Sequence, residues 1–469
     1  MPKVLISGGT VVDPSQGLNG KHDVLIEGGR VMDIQRTIPR GAADRVIEAE
    51  GLVVAPGFID IHTHLREPGG GGAETIESGS AAAAAGGFTT IMCMPNTNPV
   101  CDTETGVQYV VSRAASVGGI NVIPVACITR GMKGEEITNF GKLLNAGAGA
   151  FSDDGRPVMN AEIMRRALEY TRMLGVPIFE HCEDMNLSSN GVMNEGRTSI
   201  RLGLKGIPRT SESTMVARNA ALAAATGGHI HICHVSTRES VEAIREARRN
   251  GVHITAEVSP HHLTMTEEAV IGYDTNAKMK PPLCEAEDRD ALIAALVDGT
   301  LDCIATDHAP HSANSKENVF DAAPFGIIGM ETSFPLLYTE FVATRRWSLE
   351  FLIEKMTTGP ASVMGAKWGS LRAGSDADVT LIRLGEEYEF TRRHLRSRSV
   401  NCPWLGTRMK ARVAATLSRG REAFVSPELY PDGLFSAPAL TFSATDAGAE
   451  PTLKKKTKSK KKKSGKGRD

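Results

Sequence analysis

Nothing in these 469 residues approaches the run of about 20 apolar residues that crosses a bilayer as a helix. Met1 to Gly8 also lacks the basic start and the long apolar stretch of a secretory signal, so a cytoplasmic address is the expectation. Paired cysteines are missing too. The eight cysteines, at 93, 101, 127, 182, 233, 284, 303 and 402, never form a C-x-x-C, and several sit inside apolar strand-like runs. That distribution suits small buried hydrophobes in a reducing compartment and argues against a disulfide framework or a thiolate zinc site. Any metal must then be held by nitrogen and oxygen.

A large net charge is absent from the totals, but the formal −2 averages two unlike parts. Lys454 to Asp469 carries a net +9, which leaves −11 on the remainder. From residue 427 the composition turns to Ser, Ala, Pro and Thr and then to lysine, too polar to offset the entropy of ordering, so 427–469 is expected to be a disordered basic tail. Such a tail is ordinarily just solvated. Its sharper use is salt-sensitive attachment to an anionic partner: nucleic acid, membrane surface or acidic protein.

With 41% hydrophobic and 23% charged residues, the rest reads as a soluble globular chain, long enough for one large barrel-type domain with additions. Residues 1–55 offer short β-type runs such as Val4 to Ile6 and Val24 to Ile26, broken by Gly-Gly pairs and Asp-Pro. Similar texture returns at Asp378 to Ile382 and Arg412 to Leu417. Because chain ends usually lie close together, the two blocks are expected to complete one small sheet domain around an inserted centre.

That centre, 56–367, alternates strand-like and helix-like segments. Strands are expected at 53–60, 88–94, 120–127, 148–152, 176–180, 229–233, 252–258 and 301–306, with amphipathic or Ala-rich stretches between them. Eight β-then-α units predict an α/β fold, a closed parallel (β/α)8 or TIM barrel. Active sites of such barrels gather where the strands end, and the polar residues obey that rule. His62 and His64 close strand one, Asn96 follows strand two, Asp153-Asp154 follow strand four, His181 and His234 end strands five and six, and Asp307 ends strand eight.

Residues i and i+2 of a strand share a side, so His62 and His64 can present two imidazoles to one cation. The same spacing also occurs in hydrogen-bonded core histidines, so the metal reading rests on the other ligands. Four histidines and two or three aspartates suit one or two divalent ions, zinc being the best match, and a carboxylate of the Asp153-Asp154 pair can bridge them. Asp307 can bind metal and exchange a proton. Arg66 adds charge repulsion beside a metal unless an anion offsets it. His229 and His231 alternate with Ile230 and Ile232 and are expected to be structural, facing the helix layer; His261 and His262 are expected to pack and hydrogen-bond.

The segments D-I-H-T-H-L-R-E-P-G, M-P-N-T-N-P, A-F-S-D-D-G, E-H-C-E-D, H-V-S-T, S-P-H-H-L, K-M-K-P-P-L, A-T-D-H-A-P-H and A-P-F-G-I-I-G-M-E-T resemble, in consistent order over residues 2–425, the type I dihydroorotases of the amidohydrolase superfamily. The resemblance implies a barrel with a composite β-sandwich built from 1–55 and 368–426, and reversible interconversion of N-carbamoyl-L-aspartate and L-dihydroorotate in pyrimidine synthesis. It implies that His62, His64 and Asp307 bind one zinc, and that His181 and His234 bind a second with Asp154 bridging. Arg66, Asn96 and His311 would hold the substrate carboxylate, with backbone contacts from Phe325 and Gly326 on a mobile loop. His64 would also face the substrate. Lys280 stands where many members have Asn, so it either adds a cation for the dianionic substrate or points outward. A homodimer and an association with aspartate transcarbamoylase are further implications.

Two other readings compete. A hydantoinase, dihydropyrimidinase or allantoinase with a carbamylated-lysine bridge needs a Lys after strand four, where this chain has Ser152-Asp153-Asp154. A non-catalytic scaffold for the transcarbamoylase usually loses ligands, and all six are present.

Overall fold

The computed structural model describes residues 2–435. Eight parallel strands, Phe58–Thr63, Phe88–Cys93, Asn121–Ala126, Ala150–Ser152, Ile178–Glu180, Ile230–Ile232, Ile254–Val258 and Cys303–Ile304, lie side by side in chain order. A parallel bridge from Thr63 to His308 joins the first strand to the end of the last and closes the (β/α)8 barrel. Alternation along the strands divides the core. Phe58, Phe88, Ile178, Ile230, Ile232 and Ile304 pack outward with helix residues such as Met215 and Val241, while Ile59, Ile61, Met92, Phe179 and Cys233 fill the barrel.

The helices carry their own start and stop signals. Thr75, Asn160 and Thr237 accept backbone N–H bonds at the first turns of Ile76–Ala85, Ala161–Leu174 and Arg238–Arg249. In the last of these Val241, Ile244 and Ala247 recur at three-residue steps and are buried, which lays the helix against the barrel.

The first expected strand is two elements. Leu52–Pro56 pairs with Val379–Glu389 in a six-stranded sheet, and the barrel strand begins only at Phe58. Between them Gly57 passes so close to Thr89 that a Cβ would lie 2.2 Å from its Oγ1, so only glycine lets the chain cross from sheet to barrel here.

That six-stranded sheet combines Thr10–Asp13, Leu18–Lys21 and Leu52–Pro56 with Val379–Glu389, Arg408–Ser418 and Arg421–Val425. It faces a four-stranded sheet of Val4–Ser7, Asp23–Glu27, Arg30–Gln35 and Arg45–Glu48, and Ile6, Val24, Val54, Val379 and Leu417 fill the space between. Thr380 and Thr416 hydroxyls donate to the Gly87 and Ala84 carbonyls, seating the sandwich on the barrel.

The start of the expected tail packs. Leu434 is 3% exposed within the sandwich core, and the Tyr430 hydroxyl donates to the Glu48 carbonyl at 3.2 Å. Four apolar side chains, Leu429, Tyr430, Leu434 and Phe435, carry that contact in a stretch whose overall composition is polar. The remainder, 436–469 with its lysine run, lies outside the described residues. Among the described residues no helix is long and apolar enough to cross a membrane.

Candidate metal centre and substrate cavity

At the carboxyl mouth of the barrel a cavity of about 190 Å³ is bordered by His64, Arg66, Asn96, Asp154, His181, His234, Lys280, Asp307, His311, Phe325 and Gly326. The structure thus brings every expected site residue to one place, with His62 directly behind. Asp154 sits at the centre. Its carboxylate oxygens lie 3.4 Å from His62 Nε2, 3.5 Å from His64 Nε2, 3.6 Å from His234 Nε2 and 3.8 Å from His181 Nδ1. Asp307 Oδ1 is 3.1 Å from His64 Nε2 and 3.6 Å from His62 Nε2.

The neighbouring Asp153 turns the other way. It accepts from Ile128 N at 2.8 Å, Thr129 N at 3.1 Å and the Thr129 hydroxyl, which ties the third strand's exit to the fourth. Asp154 therefore faces the histidines alone.

The donors suit a divalent cation. His62, His64 and Asp307 form one compact set of ligand atoms, and His62, Asp154 and His234 another. His62 Nε2 and Asp154 Oδ1 are buried and have no hydrogen-bond partner among the described residues, a loss that a shared cation would repair. Burial disfavours the His62 imidazolium, yet Glu257, Asp307 and Asp154 outweigh it and hold the ring well above its ordinary value. Burial likewise pushes the Asp154 and Asp307 carboxyls up, and the surrounding histidines hold both well below the usual range. Positive charge is wanted here, and a metal ion can supply it in place of protons.

Each imidazole is aimed by its other nitrogen or by its strand. His62 Nδ1 meets Glu257 at 2.6 Å, His64 Nδ1 meets Asn96 Oδ1 at 2.9 Å and His181 Nε2 meets Glu183 at 2.9 Å. Glu257 also accepts from His231 Nε2 at 3.1 Å and from the backbone of His234 at 3.3 Å. Sequence reasoning missed Glu257, which looks like one acidic residue inside an apolar strand; its signal is that strand alternation turns it inward with His231. His231 corrects an expectation in the same way. Ile230 and Ile232 take the helix side, so the imidazole lies inside the barrel against Phe179, below the site. His262 Nε2 donates to Pro281 O at 3.1 Å and packs as expected, while His261 Nε2 has no partner among the described residues. Cys233 and Cys303 lie deeper, their thiols pushed well up by burial.

Arg66 stands across the cavity. Its Nε donates to Pro310 O at 3.2 Å, and its terminal nitrogens have no hydrogen-bond partner among the described residues. His311, beside it, shares its Nε2 proton with Phe325 O at 2.7 Å, and burial together with Arg66 lowers its pKa to about 3, so it is neutral near pH 7. Lys280 does not point outward. It lines the cavity, 2.8 Å from Glu183, so one carboxylate, held at a pKa of about 2 against burial by His181 and Lys280, joins a histidine of the cluster to the lysine.

A parallel eight-stranded barrel with histidines and carboxylates at its carboxyl mouth, flanked by a sandwich of both chain ends, has the architecture of the amidohydrolase-type enzymes. Solved structures agree: the chain superposes on the L-hydantoinase (dihydropyrimidinase) of Arthrobacter aurescens with a TM-score of 0.79 at 25% identity, covering 90% of this chain and 96% of that one. A D-hydantoinase matches with the same TM-score at 23% identity. The family model "Dihydro-orotase-like" matches residues 51–240. Over 421 residues the chain is 48% identical to the dihydroorotase of Pelobacter propionicus, covering 90% of this chain and 99% of that protein. It is also 48% identical to the dihydroorotase of Pelotomaculum thermopropionicum, covering 89% and 98%. The chain belongs to the dihydroorotase family, and so is a cyclic amidohydrolase.

Proposed function

We propose that this chain interconverts N-carbamoyl-L-aspartate and L-dihydroorotate in pyrimidine synthesis, with zinc, one or two ions per subunit, as its metal. The observation that carries the reading is Arg66: a guanidinium with free ends opens onto the same cavity as His64, Asp154 and Asp307, suited to a ring bearing a carboxylate. Hydantoin and dihydrouracil lack that group. No lysine follows the fourth strand, where Asp154 stands among the histidines. The scaffold reading is disfavoured because the six ligand-type residues converge.

In this reading His62, His64, Asp154, His181, His234 and Asp307 would hold one or two divalent ions. A bound divalent ion supplies Lewis acidity, drawing charge from the oxygens of an otherwise poor electrophile. Arg66, Asn96 and His311 surround the substrate carboxylate, with the backbone at Phe325 and Gly326 closing that side and Lys280 adding positive charge at the wall. In ring closure the carbamoyl nitrogen bonds to the side-chain carboxyl carbon and water is lost; Asp307 takes the proton from that nitrogen. In ring opening Asp307 returns a proton to the departing ring nitrogen. A cytoplasmic homodimer, with association to aspartate transcarbamoylase, completes the proposal; sedimentation with and without the transcarbamoylase tests both assemblies.

The deciding experiment compares ring opening of L-dihydroorotate, hydantoin and dihydrouracil by one preparation whose metal content is measured. Turnover confined to dihydroorotate, with zinc present, is expected. Preferred turnover of either neutral ring removes the proposal, and metal-free, inactive protein after zinc supplementation favours the scaffold.

A further inference from the structure

Two lysines beside the cavity are buried without an acid. Lys278 is 2% exposed and Lys316, at the end of the short helix Ala313–Lys316, is 5% exposed. No carboxylate forms an ion pair with either among the described residues. A buried amine is unfavourable unless its protons are accepted, and each Nζ here faces three backbone carbonyls.

Lys278 Nζ donates to the carbonyls of Phe320 at 2.6 Å, Asp321 at 3.0 Å and Ala323 at 2.7 Å. Lys316 Nζ donates to those of Thr275 at 2.7 Å, Pro324 at 2.9 Å and Lys278 at 3.4 Å. The Phe320 and Phe325 rings lie 5.2 and 4.5 Å from the Lys278 ammonium, a cation–π contact on both. Lys278 O accepts from Gly326 N at 2.9 Å.

These contacts bracket Phe325. The carbonyl before it accepts from the Lys316 side chain, and the amide after it donates to the Lys278 backbone carbonyl. Its own carbonyl accepts the His311 proton and so decides which imidazole nitrogen carries it. Gly326, at φ 151°, leaves no room for a Cβ, which would lie 2.7 Å from the His311 ring.

We propose that Lys278 and Lys316 are positioning residues for substrate binding: together they fasten 320–326 to the turn at 275–280 and so hold Phe325 O on His311. The inference rests on the proposed placement of His311 beside the substrate carboxylate. Neither lysine touches substrate, so loss of either acts through His311. Methionine keeps the stem and removes the donors, and both K278M and K316M are the variants of choice.

Expected for each is a rise in KM for dihydroorotate of about tenfold or more with kcat changed less than about threefold and metal content unchanged. Amide exchange at Ala323 and Gly326 is expected to quicken in the variants. Unchanged KM and unchanged exchange in folded variants overturn the proposal. Exchange in the unmutated protein guards against variants that fail to fold. There the amides of Ala322, Ala323 and Gly326 are expected to be protected without ligand, and exchange at the rate of an unstructured peptide overturns the latch. Because exchange needs no turnover, a protected latch in a protein without dihydroorotase activity refutes the substrate reading alone.

Discussion

At the scale of single residues the site separates groups that touch the cavity from groups that aim them. Arg66 belongs to the first kind. If Arg66 holds the substrate carboxylate as proposed, replacing it with alanine is expected to lower kcat/KM for dihydroorotate by roughly a hundredfold or more, since a charge-assisted contact is lost while the histidines and carboxylates of the cluster are untouched. Steady-state kinetics with metal analysis on the same sample check this, and loss of metal would show a different role. Glu257 belongs to the second kind, fully buried between His62 and His231 and held at a pKa of about 2 by both against burial. Glu257→Gln preserves shape but removes the charge that raises the basicity of His62. A fall in metal affinity of about 10–100-fold is expected, read by competition with a chelator.

Elements show why the strand ends were legible and the aiming residues were not. A histidine or aspartate that interrupts an apolar run at its end announces itself, as His62, His181, His234 and Asp307 do. Glu257 and His231 lie mid-strand, and their inward direction depends on the register of the sheet, where Ile230 pairs with Ile254 and His231 with Thr255. The segment over 312–326 follows the same logic, because Lys316 within it and Lys278 beside it find their carbonyl partners only in the fold. Burial, with Lys278 nearby, lowers the pKa of Lys316 from 10.5 to about 7. Between those values the unfolded chain binds more protons than the folded one, so this contribution to stability grows as pH rises and is lost as pH falls toward 7. The melting temperature of the parent relative to K316M is therefore expected to climb between pH 7 and about 9.5. A pH-independent difference would contradict that titration.

For the whole molecule the sandwich is the support that binds both chain ends to the barrel. Its core reaches Leu434, so Leu434→Ala is expected to destabilise the protein by about 2–5 kcal/mol in denaturant unfolding. Truncation before Pro427 is expected to lower stability further, by exposing the apolar residues that Leu429, Tyr430 and Leu434 cover. Turnover by the surviving folded fraction is expected to persist, because that contact lies at the sandwich and not at the cavity.

The linear order of residues determined the barrel, through eight apolar runs separated by helical periods, and which histidines and aspartates meet at its mouth, through their recurrence where those runs stop. It also carried the departure at Lys280. Only the folded structure decided that Asp154 enters the cluster while Asp153 fastens the backbone, that Lys280 answers to Glu183, and that Gly57 divides one apparent strand into two. Each of these depends on which neighbour a side chain meets across strands, and pairing between segments far apart in the chain is set by packing and sheet register rather than by any local pattern.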